Sequence, residues 1–255
     1  MLAGVWHGGG MGARDVMAVA RRITVLTGAG VSFPSGVARF AFAASPYLAS
    51  AAARRSAWRS WLDDPMWSAE PNAAHTALAE LERAGRVRSL LTQNVDGLHQ
   101  RAGSAAVVEL HGSMARVVCA SCGAAAPVAD ALAQVRAGAP YPVCAACGGV
   151  RRPAVVAFGE PVPEPVLREA RTAVLDCDAL LAVGTSLTVS PASDLVGLAV
   201  RAGAAVVVVN PEPTPYDGVA AAVVRAPAEE ALPELVAVPV TASGPVRTWG
   251  DPSTW

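Results

Sequence analysis

Four short apolar runs, Ile23–Gly30, Val87–Asn94, Asp178–Ser186 and Ala204–Asn210, each end on glycine or a small polar residue. Their bodies largely lack polar alternation, the pattern of parallel strands buried on both faces. A weaker run, Ala221–Arg225, follows them. Helical patterns fill the intervals at Pro71–Gly85, Pro165–Cys177 and Pro191–Gly203. The first opens on proline and closes on glycine, as helices tend to do. Strands alternating with helices predict an α/β fold built on a doubly wound parallel sheet, with its ligand edge at the carboxyl ends of the strands. Those ends carry Gly28, Gly30, Gln93, Asn94, Gly184, Thr185, Ser186 and Asn210.

At about 150 residues per domain, 255 residues make one large or two unequal domains. An apolar fraction of 53% against 16% charged excludes a disordered chain. Twenty basic and 21 acidic residues leave a formal charge of −1, so no general grip on a nucleic acid backbone is expected. Every basic residue is arginine. Lysine Schiff-base chemistry and the phosphate-cradling Walker lysine are therefore excluded. The opening residues show neither a basic n-region nor a sustained apolar h-region, and no apolar run reaches membrane-spanning length. A reducing cytoplasm is the expected location, with no membrane partner; oligomeric state is not assigned.

Four of the five cysteines form two Cys-x-x-Cys pairs, Cys119/Cys122 and Cys144/Cys147, separated by 21 residues. Four soft thiolates at this spacing favour one tetrahedral, structural zinc with no open coordination position. Cys177 stands alone and is expected to contribute nothing to it. A short helix is expected between the pairs, near residues 130–138. The segment from Val37 to Pro71 reads as helices packed through Trp58, Trp61 and Trp67. Residues 1–12 and the tail beyond Ala237 read as loosely attached.

Gly28–Ser32, GAGVS, follows a strand, as a dinucleotide-binding loop requires. Gly28 and Gly30 would let the backbone approach a pyrophosphate, with the amides of the next helix facing its charge. Position 33 is Phe where the full fingerprint has a third glycine, so a plain tight turn fits as well. Of four histidines, His7 lies in the lead-in and His75 reads as structural. His99 and His111 both follow strand-end loops, and either suits a general base. Asn94 and Asp96 lie near the same edge.

The blocks GAGVSFPSGV (28–37), TQNVDGLHQRAG (92–103), ELHG (109–112), the two cysteine pairs, FGE (158–160), GTSLTVSPA (184–192) and VVNPEPTP (208–215) together resemble the sirtuin family, across residues 15–236. The resemblance implies a Rossmann-like NAD-binding domain over residues 13–36, 72–116 and 154–236. It further implies a shortened helical insertion and cofactor loop at 37–71, a zinc-binding module at 117–153 and a tail at 237–255. It implies NAD+ as co-substrate, Zn2+ as a structural ion and an acyl-lysine protein or peptide as partner. The family activity is removal of acyl groups from lysine, with release of nicotinamide and 2′-O-acyl-ADP-ribose. The acyl oxygen attacks C1′ of the nicotinamide ribose, and His111 becomes the base that activates a ribose hydroxyl.

By the same resemblance Gln93 and Asn94 contact ribose, and Asp96 holds the nicotinamide amide; Asn94 and Asp96 join His111 as catalytic candidates. Gly28, Ala29, Gly30, Ser32, Gly184, Thr185 and Ser186 lie along the pyrophosphate and adenosine side, and Asn210 and Glu212 by the adenosine ribose. Phe40 belongs to the cofactor loop. Phe158, Gly159 and Glu160 form an edge that pairs with the peptide backbone. One segment departs from the family: Ala38-Arg39-Phe40-Ala41 stands where Pro-Asp-Phe-Arg is usual, and only 17 residues separate Phe40 from Trp58. Arg39 reverses a charge, and the shortened cover exposes the site. Two outcomes stay open: a deacylase that closes its site with other residues, or a shift toward NAD hydrolysis, ADP-ribosyl transfer or weakly catalytic NAD/ADP-ribose binding. No Tyr-x-x-Arg pair for acidic acyl groups is present, and Arg54 and Arg55 are the arginines able to approach from another register; an uncharged acyl group, acetyl by default, is expected.

Overall fold

The computed structural model describes residues 12–237. The lead-in containing His7 and most of the tail lie outside the described residues. Six parallel strands form the main sheet: β1 (Ile23–Thr27), β2 (Val87–Thr92), β3 (Val107–Glu109), β7 (Ala179–Val183), β8 (Ala205–Val209) and β9 (Ala222–Val224). Their order is β3-β2-β1-β7-β8-β9. Counting only these strands, the order is 3-2-1-4-5-6, the doubly wound arrangement with a switch point between β1 and β7. Each of the five apolar runs became a strand; β3 is the one added beyond them. After a register shift between Ile23 and Thr24 on the β2 side, the parallel register is regular, with Val25 beside Leu90 on one side and Leu181 on the other.

Alternate residues of each central strand feed opposite cores. Val25, Leu181 and Val207 face one layer with helices α1 (Ala13–Val19), α4 (Ala73–Arg83) and α9 (Ala228–Val236). Leu26, Leu180 and Val206 face α7 (Glu164–Leu175) and α8 (Asp194–Arg201) on the other. This two-sided burial explains why the strands read as continuous apolar runs. Helix α4 starts where Asn72 accepts from the Ala74 amide, while its Nδ2 donates to the Val31 carbonyl and to Ser35. One side chain thus caps the helix and ties it to the GAGVS segment.

The insertion holds α2 (Ala44–Ala49) and α3 (Ala51–Leu62), and a four-residue helix α5 (Leu98–Arg101) follows β2. Strands β4 (Gly112–Cys119), β5 (Ala125–Pro127) and β6 (Arg151–Val155) form a separate antiparallel sheet in the order β5-β4-β6, with α6 (Val128–Arg136) against it. The two insertions share a core. Trp58, Trp61, Tyr47 and Phe42 pack with Met114, Val117, Leu132 and Val155, while Trp67 is half-buried at the margin. The cysteine-bearing segment therefore packs on the aromatic helices as well as on its metal site.

Candidate functional site

Both Cys-x-x-Cys pairs fold into the same tight turn. The Gly123 amide donates to the Cys119 carbonyl and that of Gly148 to the Cys144 carbonyl. Both glycines take a left-handed φ, of 73° and 71°, which a side chain would oppose. All four Sγ atoms lie within 4.8 Å of one another, with Cys119–Cys147 at 3.5 Å and Cys122–Cys144 at 3.8 Å. A tetrahedron with Zn–S bonds of about 2.3 Å has edges of about 3.8 Å, so the donor set fits one zinc. Cys177 is buried in the main core, its thiol donating to the Val174 carbonyl.

At the switch point the carboxyl ends of β1 and β7 touch. A Cβ at Gly30 would come within 2.8 Å of the Gly184 carbonyl oxygen, one at Gly28 within 2.7 Å of Thr185 Cβ, and one at Gly184 within 2.5 Å of the Val31 nitrogen. The missing side chains of Gly28 and Gly30 thus also let two strand-end loops pack on each other, a role the sequence does not show. A correction concerns the helix expected next. Pro34 and Gly36 break it into two short 3-10 turns, Ala29–Val31 and Phe33–Ser35. The amides of Gly28, Gly30, Val31 and Ser32 are all donated within the protein. That leaves the Ala29 amide without an acceptor among the described residues.

From β2 and the loop beyond it, Gln93 and Asn94 enter the same edge. The Gln93 side-chain oxygen accepts from Thr185 Oγ1 at 2.8 Å, bridging the switch point. Asn94 Nδ2 donates to the Gly28 carbonyl at 3.1 Å and to Ser32 Oγ at 3.0 Å, leaving its own oxygen as an acceptor. Asp96 accepts from the Leu98 amide, starting α5. Ser186 is exposed, its hydroxyl beside that of Thr188. Asn210 is buried at the end of β8 with its amide on the Glu212 carbonyl, while the Glu212 side chain is exposed.

The structure sets His111, which the resemblance singles out as the base, apart from His99, which follows a similar strand-end loop. His111 is half-exposed, with Nδ1 3.0 Å from the Gln93 carbonyl oxygen. An acceptor there requires Nδ1 to carry the proton, which leaves Nε2 with a free lone pair. Burial lowers its pKa from 6.5, against the opposing Gln93 bond, so the ring is neutral at pH 7. His99 is fully buried, its Nε2 2.9 Å from Thr27 Oγ1. Its ring sits 4.8 Å from that of His75, which is itself fully buried beside Ser32. Neither of these two presents a nitrogen to the cleft.

Burial holds His75 down to about 4, against the pull of Asp96, and His99 to about 3, helped by His75. The unfolded chain takes up these protons near pH 6.5, while the folded chain does not. Stability is therefore fully present above pH 6.5 and falls as pH drops toward 4, by up to about 1.4 kcal/mol per unit for each histidine. Urea unfolding at pH 7.5 and at pH 5 checks this; equal stability at both would contradict it.

Phe158–Glu160 lies beyond β6 as a turn. The Phe158 amide donates to the Phe42 carbonyl and that of Glu160 to the Ala157 carbonyl, so a peptide would meet the remaining backbone groups. Phe158 is 77% exposed. Phe40 is half-buried, its ring 6.3 Å from that of Trp61. Two arginines escaped the sequence reading. Arg225 donates to the Asn210 and Glu212 carbonyls and pairs with Asp217, fixing the loop after β8. Arg152 grips Glu160. Neither lies in a glycine-marked block, and only the fold brings them to the site.

A glycine-packed switch point, a polar strand edge and a four-thiolate module define a dinucleotide-cleft protein of Rossmann type with a structural metal centre. The Sir2 family model matches residues 28–191, and the chain belongs to that family. It is 46% identical over 231 residues to "NAD-dependent protein deacetylase 2" of Streptomyces coelicolor, covering 84% of this chain and 96% of that one. Against "NAD-dependent protein deacylase" of Thermus thermophilus the identity is 42% over 241 residues, covering 88% and 92%. A solved structure of Sir2 with p53 peptide and NAD+ superposes with a TM-score of 0.79 at 34% identity, covering 87% of this chain and 94% of that chain. A Sir2 bound to a propionylated peptide gives 0.80 at the same identity and coverage.

Proposed function

We propose that this protein is an NAD-dependent protein-lysine deacylase, acting by default on acetyl-lysine in the cytoplasm. The observation that carries the reading is His111: neutral, half-exposed, and oriented by the Gln93 carbonyl at the ligand edge of the sheet. NAD+ supplies the ADP-ribose that accepts the acyl group and the nicotinamide that leaves. The cleft lies between the Rossmann-like domain (13–36, 72–116, 154–236) and a lobe made of 37–71 and 117–153.

In this reading Ala29, Gly30, Ser32, Thr185 and Ser186 serve the pyrophosphate and adenosine side, and Gly28 and Gly184 keep their loops in contact. Gln93 and Asn94 serve the reacting ribose, Asp96 the nicotinamide amide, and Asn210 and Glu212 the adenosine ribose. Phe40 covers the cofactor, and Phe158, Gly159 and Glu160 present the peptide-binding turn. His111 Nε2 takes the hydroxyl proton when the acyl group moves, as a base near neutral pH can. An uncharged acyl group remains the default: of the two candidate arginines in the insertion, Arg55 is exposed, while the Arg54 guanidinium donates to the Tyr47 and Leu48 carbonyls and lies 4.7 Å over the Tyr141 ring. Arg54 is therefore already engaged.

Arg39 is exposed and makes no ion pair among the described residues. A cation in the cofactor-loop segment opposes the positive character that develops at the ribose. Arg39→Asp with Ala41→Arg is expected to raise peptide-dependent turnover several-fold; unchanged turnover in the folded double variant would contradict that. The deacylase reading itself is tested by incubating the protein with an acetyl-lysine peptide, with and without NAD+. Deacetylated peptide formed only with NAD+ is the expected result. Nicotinamide release that ignores the peptide, or deacetylation without NAD+, would overturn it.

A further inference from the structure

We infer that Arg152 is a positioning residue for the acyl peptide, holding the Phe158–Glu160 turn and the Phe42 segment as one unit through a forked ion pair with Glu160. The role rests on the deacylase reading above. Arg152 Nη1 lies 2.6 Å from Glu160 Oε1, and Nη2 lies 3.0 Å from Oε2. Oε2 also accepts from the Ala157 amide at 3.0 Å, so the carboxylate closes the turn on its own backbone. The Arg152 guanidinium carbon stands 6.0 Å from the centre of the Phe42 ring. The Phe42 carbonyl, in turn, receives the Phe158 amide at 2.9 Å. One guanidinium therefore reaches both the peptide-binding turn and the chain that follows the cofactor-loop segment.

Burial does not hold this turn. Phe158 and Gly159 are both exposed, and Gly159 has a φ of 84°. Hydrogen bonds must fix it instead: the Glu160 carboxylate accepts from the Ala157 amide, and the fork holds that carboxylate in place. The Arg152 side chain is only 19% exposed, which separates it from surface ion pairs of negligible worth. Arginine offers two parallel donors that a lysine lacks, so the geometry depends on residue type as well as charge. The turn continues directly from the ladder that holds the base, since the Val156 amide donates to the His111 carbonyl at 2.9 Å. Loosening the fork should misplace the peptide while leaving His111 seated before β4 and against the Gln93 carbonyl.

The test is steady-state kinetics with an acetyl-lysine peptide, paired with hydrogen exchange at the Ala157, Phe158 and Glu160 amides. Arg152→Gln is expected to raise the peptide KM about tenfold while kcat changes by less than about threefold, the signature of lost binding shared by ground and transition states. Exchange at the three amides should quicken, while that at Val117 and Val118 in β4 stays as in wild type. Arg152→Lys keeps the charge without the fork and should fall between the two in KM. An active wild type with an unmoved KM in folded Arg152→Gln overturns the positioning role alone. So does Arg152→Lys behaving as Arg152→Gln with kcat and thermal stability lost together, which is the mark of a merely structural residue. A wild type that leaves the peptide acetylated overturns the deacylase reading, and the peptide role with it.

Discussion

Replacing His111 with alanine is expected to slow acyl transfer about 100-fold or more while thermal stability changes little. That factor corresponds to about 2.7 kcal/mol in the barrier. The ring is half-exposed, so its removal leaves no large cavity, and its one described hydrogen bond goes to a backbone carbonyl. Binding of NAD+ should largely survive, because the residues assigned to it sit on other loops. Nicotinamide exchange should be less affected than deacetylation, since bond breaking at the ribose precedes the proton transfer assigned to His111. In wild type the rate should rise with pH through the histidine pKa, which burial places below 6.5, and then level off. A folded His111→Ala protein that deacetylates at the wild-type rate would remove the base from this position.

Loss of the metal should produce the largest structural effect. Thiolate zinc sites contribute binding free energy directly to folding, about 10–16 kcal/mol in small peptides. Here part of that is replaced by the core that the module shares with Trp58 and Trp61. If about 4 kcal/mol reaches the cooperative transition, Tm falls by about 8–16 °C for a chain of this size. Cys144→Ser should lose the zinc and loosen β4, β5 and β6, while Cys177→Ser should keep it. Activity should decline as a consequence, because β4 begins one residue after His111 and the Val155–Val156 end of the same sheet pairs with Gly112 and His111. Metal analysis with thermal melting checks this. Full zinc occupancy in Cys144→Ser, or no zinc in carefully purified wild type, would contradict it.

The central strands were legible because burial on both faces writes itself as uninterrupted Val, Leu and Ala. The thiolate cluster was legible because two short-range pairs need only a fold that brings them together. Other elements carried weaker marks. Helix α9 contains Pro233 and so interrupts a helical pattern, and β3 has only three residues. The glycines of the first motif were visible, but their cause was not: Gly184 approaches Gly30 across 154 positions of sequence. His99 and His111 looked alike because each follows a strand-end loop. The resemblance singles out His111, but the physical difference between them is depth, and depth is a property of packing. Arg152 was invisible for the same reason, since an arginine in a strand acquires meaning only when a turn places a carboxylate in its reach.

The most direct measurement is product stoichiometry from one reaction of wild-type protein, NAD+ and an acetyl-lysine peptide, followed by mass spectrometry. The account predicts one nicotinamide, one deacetylated peptide and one O-acetyl-ADP-ribose for each turnover, because the acyl group moves onto the ribose. Free acetate as the initial product, or ADP-ribose formed without loss of acetyl from the peptide, would contradict it.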